Sequence, residues 1–257
     1  MENQEDRVIS VERLSVRYGD EVILEDVTFE VRRGEIMVIA GATGSGKSTL
    51  LRHMIGLSMP SSGRVVIDGV DITRASEAEM RAVRRRIGML FQSSGLLSSM
   101  TLAENIELPL SEFTDLPASI REAIVRTKLA MVGLSGYEAH LPSELSGGMR
   151  KRAGIARAMS LDPEMLFLDE PFAGLDPITS AGLELLIKRI NKGMGTTMII
   201  VSHELDSIFG LAQRMVMLDK GKKGIIAEGD PRVLKQKPPN PHVRHFLNRE
   251  IEEKGMA

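Results

Sequence analysis

The chain has 257 residues, 42% of them hydrophobic and 26% charged, with a net charge of −2 and no cysteine. That length holds one large domain, or a core with a subdomain inserted in it, and the composition is that of a soluble globular protein. The charge argues against a nucleic-acid binder that works by bulk phosphate attraction, and disulfides and thiolate metal sites are excluded, which is compatible with the cytosol.

The N-terminal Met1 to Asp6 is polar and acidic, unlike a signal peptide. Val8 to Tyr18 and Val22 to Val31 alternate as strands, with Val27, Phe29 and Val31 on one face. Glu35 to Ala40 is a short apolar run of the kind a buried strand shows. It leads into Gly41-Ala42-Thr43-Gly44-Ser45-Gly46-Lys47-Ser48-Thr49, and Leu50, Leu51, Met54 and Leu57 then follow at helical spacing. After the turn at Pro60 to Gly63, Arg64 to Asp68 reads as another strand, so a small, mostly antiparallel sheet is expected beside the core. Ser76 with Glu79 forms a capping box that opens a helix ending in Arg84-Arg85-Arg86, where cations suit the helix dipole. Ile87 to Phe91 is the next strand and closes at Gln92.

From Ser93 to Leu145 the character changes to helices and loops, read as a helical subdomain. Thr101 with Glu104 is a second capping box, and Pro117 sits well near the first turn of a helix reaching about Val132. The α/β rhythm resumes with a helix from about Gly148 to Ser160 and a strand from Glu164 to Leu168. A helix opened by Asp176 and Pro177 comes next, then a strand from Thr196 to Ser202. A short helix from Glu204 to Ala212 and strands at Met215 to Leu218 and Gly224 to Ala227 complete the core. The tail from Lys235, with Pro238, Pro239 and Pro241, reads as a lightly packed extension. The longest apolar runs, such as Met198 to Val201, are too short to span a bilayer, so work at a membrane implies a peripheral subunit.

Residues 41–49 fit the G-x-x-x-x-G-K-[ST] phosphate loop in its strand–loop–helix context. Glycines let the backbone N–H groups turn inward, and the helix N-terminus adds positive potential toward a nucleoside triphosphate. Lys47 can reach the β- and γ-phosphates, and Ser48 can offer its hydroxyl to Mg²⁺. Asp169 and Glu170 end an apolar strand, the edge where open α/β sheets bind ligands. Asp169 suits Mg²⁺ held through water, and Glu170 can take a proton from an attacking water. Ser146, Gly147, Gly148 and Met149 open another helix, either as a second anion site or as an ordinary N-cap. Gln92 could ligate Mg²⁺ or be an ordinary strand-end glutamine. His203 could donate to a γ-phosphate. Tyr18 could stack on adenine or be a plain strand aromatic.

Tyr18, residues 41–49, Gln92, Leu145 to Gly148, Asp169-Glu170, Gly174-Leu175-Asp176 and His203 come in the order found in ABC-type ATPase domains, which the chain resembles over roughly residues 8–230. The resemblance implies a phosphate-loop NTPase core of α/β class, with an N-terminal antiparallel β-subdomain and an inserted helical subdomain. Residues 8–92 and 146–230 would then be the nucleotide core with its β-subdomain, 93–145 the helical subdomain and 235–257 a C-terminal extension. It also implies that Tyr18 stacks on adenine, Gln92 is the Q-loop residue, Ser146-Gly147-Gly148 the signature, Asp176 the D-loop aspartate and His203 the switch histidine. ATP and Mg²⁺ would bind at the interface of a head-to-tail homodimer.

Met89-Leu-Phe-Gln-Ser-Ser-Gly-Leu96, Pro142 to Met149, Asp169 to Thr179 and Pro241 to Leu247 are similar to the ATPase subunit of Mla-type phospholipid transporters. That resemblance implies a bacterial inner-membrane complex with a permease, an MCE lipid-binding protein and, in many systems, a STAS-domain protein. Met149 replaces the signature glutamine of the wider family, as in that subgroup, and its thioether cannot donate a hydrogen bond. The rivals are a motor for another solute, such as an amino acid or metal, and a soluble ABC protein acting on DNA or ribosomes. The latter usually carries two ATPase domains or a long coiled-coil insertion, and this chain has neither. A small-molecule phosphate-loop kinase leaves residues 145–149 and His203 without a purpose.

Overall fold

Strand alternation, capping residues and glycine turns set most of the element boundaries seen in a computed structural model, which describes residues 6–250. The acidic start at 1–5 and the last part of the tail, 251–257, lie outside the described residues. The rest divides into two compact units, residues 6–75 with 201–250, and residues 76–200.

In the first unit, β1 (Arg7–Tyr18) and β2 (Glu21–Arg32) form a hairpin closed through Gly19, whose φ of 58° a glycine adopts without strain. Val27, Phe29 and Val31 are buried together. With β4 (Ser62–Ile67) and β5 (Val70–Asp71) they make the expected antiparallel sheet, in the order β2-β1-β4-β5. β3 (Ile36–Ala40) is buried at every residue, as a strand covered on both faces should be. It runs parallel to β9 (Arg214–Asp219), which pairs antiparallel with β10 (Gly224–Gly229). Arg214 ties these three strands at one end, reaching Glu35 at 2.7 Å and Glu228 at 2.6 Å.

Helix α1 (Lys47–Met54) is shorter than its apolar spacing suggests. Gly56, at φ 69°, turns the chain out of the helix, and Leu57 lies beyond it, 55% exposed. α7 (Leu205–Leu211) follows as expected.

The tail departs from its reading as a lightly packed extension. It forms α8 (Pro231–Gln236) and α9 (Pro241–Asn248), which pack on one another, with Val243 and Leu247 fully buried. Its proline at 241 starts a helix rather than preventing one: it is the first helical residue, where no N–H is needed, and Asn240 caps it by accepting from Val243 N at 3.0 Å.

In the second unit, α2 (Glu77–Arg85) and α3 (Leu102–Phe113) begin at the two capping boxes, both arms of each being formed. Ser76 and Thr101 hold the carboxyls of Glu79 and Glu104 below their ordinary range by hydrogen bonding. Arg86 closes the arginine run in a two-pronged pair with Glu164, at 2.7 and 2.8 Å. α4 (Ala118–Met131) has Pro117 at its N-cap, next to its first turn. The strands β8 (Thr197–Val201), β7 (Met165–Asp169) and β6 (Ile87–Leu90) lie side by side, β7 and β6 parallel, with β7 and β8 buried throughout. α5 (Gly147–Ala158) and α6 (Pro177–Met194) complete the unit. Among the described residues, no helix is long and apolar enough to cross a membrane.

Candidate functional site

The phosphate loop leaves the buried end of β3 and turns on glycines. Gly41, Gly44 and Gly46 have φ values of 143°, 80° and 93°, a region that costs other L residues steric strain. A Cβ at Gly41 would run into the carbonyl of Leu218, and one at Gly46 would sit 2.8 Å from Leu24 Cδ2. Gly46 is the N-cap of α1 and has no side chain to satisfy the first N–H groups of that helix. Lys47 is buried and curls back, donating from Nζ to the carbonyls of Gly41 at 2.9 Å and Ala42 at 3.0 Å. Ser45 Oγ is buried in the same loop with no hydrogen-bond partner. A positively biased helix end, a buried ammonium and an unsatisfied hydroxyl together suit a polyphosphate. Ala42, Thr43 and Gly44 are exposed at the loop's rim, and Ser48 and Thr49 are half-buried in the first turn of α1.

Two more predicted residues belong to this unit. Tyr18 ends β1 and is 56% exposed, so its ring is accessible to a base. His203 is exposed on the turn after β8, where Ser202 N donates to Ile39 O at 3.2 Å and anchors the turn to β3.

The second unit brings together another set. β6 and β7 are in parallel register with Leu90 opposite Leu168, so Gln92 and Glu170 leave adjacent strand ends at the same height. Asp169 is the last residue of β7, and it and Glu170 are both buried. Glu170 has φ 46°, a strained conformation for a side-chain-bearing residue. Such strain is held where the surroundings over-determine the backbone, and it collects at active sites. Among the described residues no cluster of three or more His, Cys, Asp or Glu could cage a metal. The predicted donors Ser48, Gln92 and Asp169 are hard oxygens and few, which suits Mg²⁺, an ion normally shared between a carboxylate, water and substrate phosphates.

Helix α5 begins after Ser146, whose hydroxyl accepts from Met149 N at 3.3 Å as an N-cap. Gly147 and Gly148 form the first helical turn, and a Cβ on Gly148 would meet Thr179 Cγ2. Asp176 caps α6, accepting from Ile178 N and Thr179 N at 3.0 Å each. Thr179 Oγ1 also donates to it, and these bonds hold its carboxyl below the usual range.

Sequence reading missed Lys151. It is buried, and Nζ donates to the carbonyls of Gln92 at 2.6 Å and Glu170 at 3.0 Å. Within Arg150-Lys151-Arg152 it passes for a solvated helix charge. The available signal was Gly154, a glycine inside a helix, which normally has a packing reason.

A phosphate loop, a buried acidic strand end and a glycine-started second helix define a nucleoside-triphosphate hydrolase of the ABC class. A family model for ABC transporters matches residues 24–173, and the chain belongs to that family, binding and hydrolysing ATP. It is 42% identical over 229 residues to the intermembrane phospholipid transport system ATP-binding protein MlaF of Haemophilus influenzae, covering 89% of this chain and 86% of that one. It is also 42% identical over 250 residues to the probable ribonucleotide transport ATP-binding protein mkl of Mycobacterium tuberculosis, covering 97% of this chain and 69% of that one. Among solved structures, the dimeric post-hydrolysis state of the ATP-binding cassette MJ0796 bound to ADP and Pi superposes with a TM-score of 0.79 at 29% identity, over 86% of this chain and 98% of that one. The α/β architecture expected from the sequence is therefore that of an ABC ATPase.

Proposed function

We propose that the chain is the ATPase motor of a transporter that moves phospholipid between bacterial membranes, attached peripherally to the cytoplasmic face of the inner membrane. Two copies work as a head-to-tail homodimer against permease subunits, with an MCE lipid-binding protein and a STAS-domain protein as further partners. The similarity to MlaF carries the substrate assignment. Identity alone does not separate it from the ribonucleotide transporter name, but the chain spans 86% of the Haemophilus MlaF and only 69% of mkl. Residues 93–116, which follow β6 and run through α3 to just past its end, are the surface proposed to meet the permease.

In the proposed mechanism, Tyr18 stacks on the adenine and the loop from Gly41 to Thr49 surrounds the phosphates. Lys47 exchanges its bonds to the Gly41 and Ala42 carbonyls for β- and γ-phosphate oxygens. Ser48, Gln92 and Asp169 would hold Mg²⁺, which when bound would supply positive charge to offset that of the phosphate oxygens. Glu170 takes a proton from water as the water oxygen bonds to the γ-phosphorus. The bond to the bridging oxygen breaks and ADP leaves. His203 donates to the γ-phosphate, and Ser146, Gly147, Gly148 and Met149 of the partner copy close over it. Asp176 keeps the D-loop in shape by capping α6. The nucleotide core, 8–92 with 146–230, and the helical part, 93–145, divide this work.

Glu170→Gln preserves shape and hydrogen bonding but removes the base. ATP binding should survive while turnover falls by about 10²-fold or more, and an ATP-bound dimer should accumulate. Near-normal hydrolysis would place the base elsewhere. Purified from its host in mild detergent, the unaltered protein should carry a permease, an MCE subunit and bound phospholipid. Recovery of a soluble solute-binding system instead would reject the lipid assignment.

A further inference from the structure

Side-chain-bearing residues at positive φ are usually exposed turn residues, where water satisfies the backbone. Eight occur among the described residues, and only Ser94 and Glu170 are buried. Ser94, at φ 68°, lies in the loop after β6, and Glu170, at φ 46°, lies just after β7. The parallel register of β6 and β7 puts those two loops side by side. Strain of this kind persists where the surroundings over-determine the backbone.

One side of α5 does so at three-residue spacing. Lys151, 6% exposed, donates to Gln92 O at 2.6 Å and Glu170 O at 3.0 Å, one carbonyl from each loop. Gly154 brings the helix backbone against the first loop, since a Cβ there would lie 2.7 Å from Ser94 O and 2.5 Å from Leu90 Cδ1. Arg157 donates to Gly95 O. A buried ammonium is costly unless its protons are accepted, so Lys151 and the two carbonyls constrain one another. The same helix begins at Ser146, so its first turn and both loops are joined by a single side chain one turn in.

We propose that Lys151 is a positioning residue for ATP hydrolysis. It fixes the backbones that carry Gln92 and Glu170 to the signature helix, so that a shift of that helix reaches both residues together. The proposal rests on the reading above of Glu170 as base and Gln92 as a ligand of the reacting phosphate's Mg²⁺. Lys151 is buried and spends its ammonium on the carbonyls of Gln92 and Glu170, so its loss should lower kcat while leaving ATP binding in place.

The absence of cysteine allows a chemical test in the full chain. Lys151→Cys can be alkylated with 2-bromoethylamine in urea and refolded, which restores an ammonium at nearly the original reach. The parent chain, with no thiol to react, is carried through the same steps as the control. Untreated Lys151→Cys should show kcat lowered about 10–100-fold with KM for ATP within about threefold, the size expected for a misplaced reacting group. Aminoethylation should recover most of kcat. A folded Lys151→Cys with parental kcat, or complete aminoethylation of a folded chain without recovery, overturns the proposal. If the variant does not fold, hydrogen exchange on the unaltered protein decides instead. Mg·ATP should change protection of residues 91–95 and 146–151 together, and a response of one segment alone overturns the coupling. Glu170→Gln is assayed in parallel, because normal hydrolysis there would mean that the assignment of the base had failed, not the role of Lys151.

Discussion

Helices α1 and α5 both begin at glycine-rich loops, and the glycines serve different ends in the two. Before α1, Gly41, Gly44 and Gly46 all take positive φ, and Gly46 caps the helix without a side chain. The backbone itself is shaped there, as in loops whose successive N–H groups form an anion-binding concavity. At α5 the N-cap is Ser146 in an ordinary extended conformation, and its own hydroxyl takes up Met149 N. Neither Gly147 nor Gly148 has positive φ, and Gly148 is small because Thr179 crowds it. One loop needs glycine for what its backbone does, the other for what lies beside it.

That contrast separates the effects of substitution. Gly148→Ala should have the largest effect, about 1–3 kcal/mol of stability lost to overpacking. Thr179 cannot swing its methyl away, because its hydroxyl is held 2.5 Å from Asp176 Oδ2. Thr179→Ser keeps that hydroxyl and removes the methyl, so the double variant should recover most of the loss in urea unfolding. A double variant no more stable than Gly148→Ala would break the comparison at α5. Gly44→Ala should cost slightly less, about 1–2 kcal/mol for a left-handed L residue, and no second substitution should rescue it. Nothing lies within 4 Å of the added Cβ, so the cost is conformational alone. Ser146→Ala should be the mildest, near 1 kcal/mol for a lost cap, read as a small shift in the urea midpoint.

What could be read from the sequence follows from the range of the interactions involved. The phosphate loop and both capping boxes are local, their partners lying within a few residues, and they stand where expected. β3 and β7 were legible as uninterrupted apolar runs. The ends of α1 and the course of the tail were not, because Gly56 and Asn240 exert their effect through backbone geometry that apolar spacing does not record. Lys151 was illegible for a different reason. Whether a helical lysine is solvated or buried depends on what packs over it, here the loops that follow two strands, at residues 92 and 170. The strain at Glu170 likewise belongs to the folded chain and leaves no mark in residue type.

The central claim is that each ATP site combines α1 of one copy with the α5 N-terminus of another. The most direct measurement mixes two inactive variants and isolates the doubly tagged heterodimer. Lys47→Ala removes the cation of the phosphate loop. Gly147→Asp places a carboxylate at the start of α5, where the added Cβ lies in ordinary contact with Leu175 Cδ2 at 3.6 Å. An acidic residue in the first turn also suits the helix dipole, so folding should not suffer. Each homodimer has one defect in both sites and should fail to occlude ATP. In the heterodimer a shared arrangement gathers both defects into one site and leaves the other intact, so ATP should be occluded at one site per dimer. An assembled heterodimer that traps no more ATP than its parents would contradict the shared site.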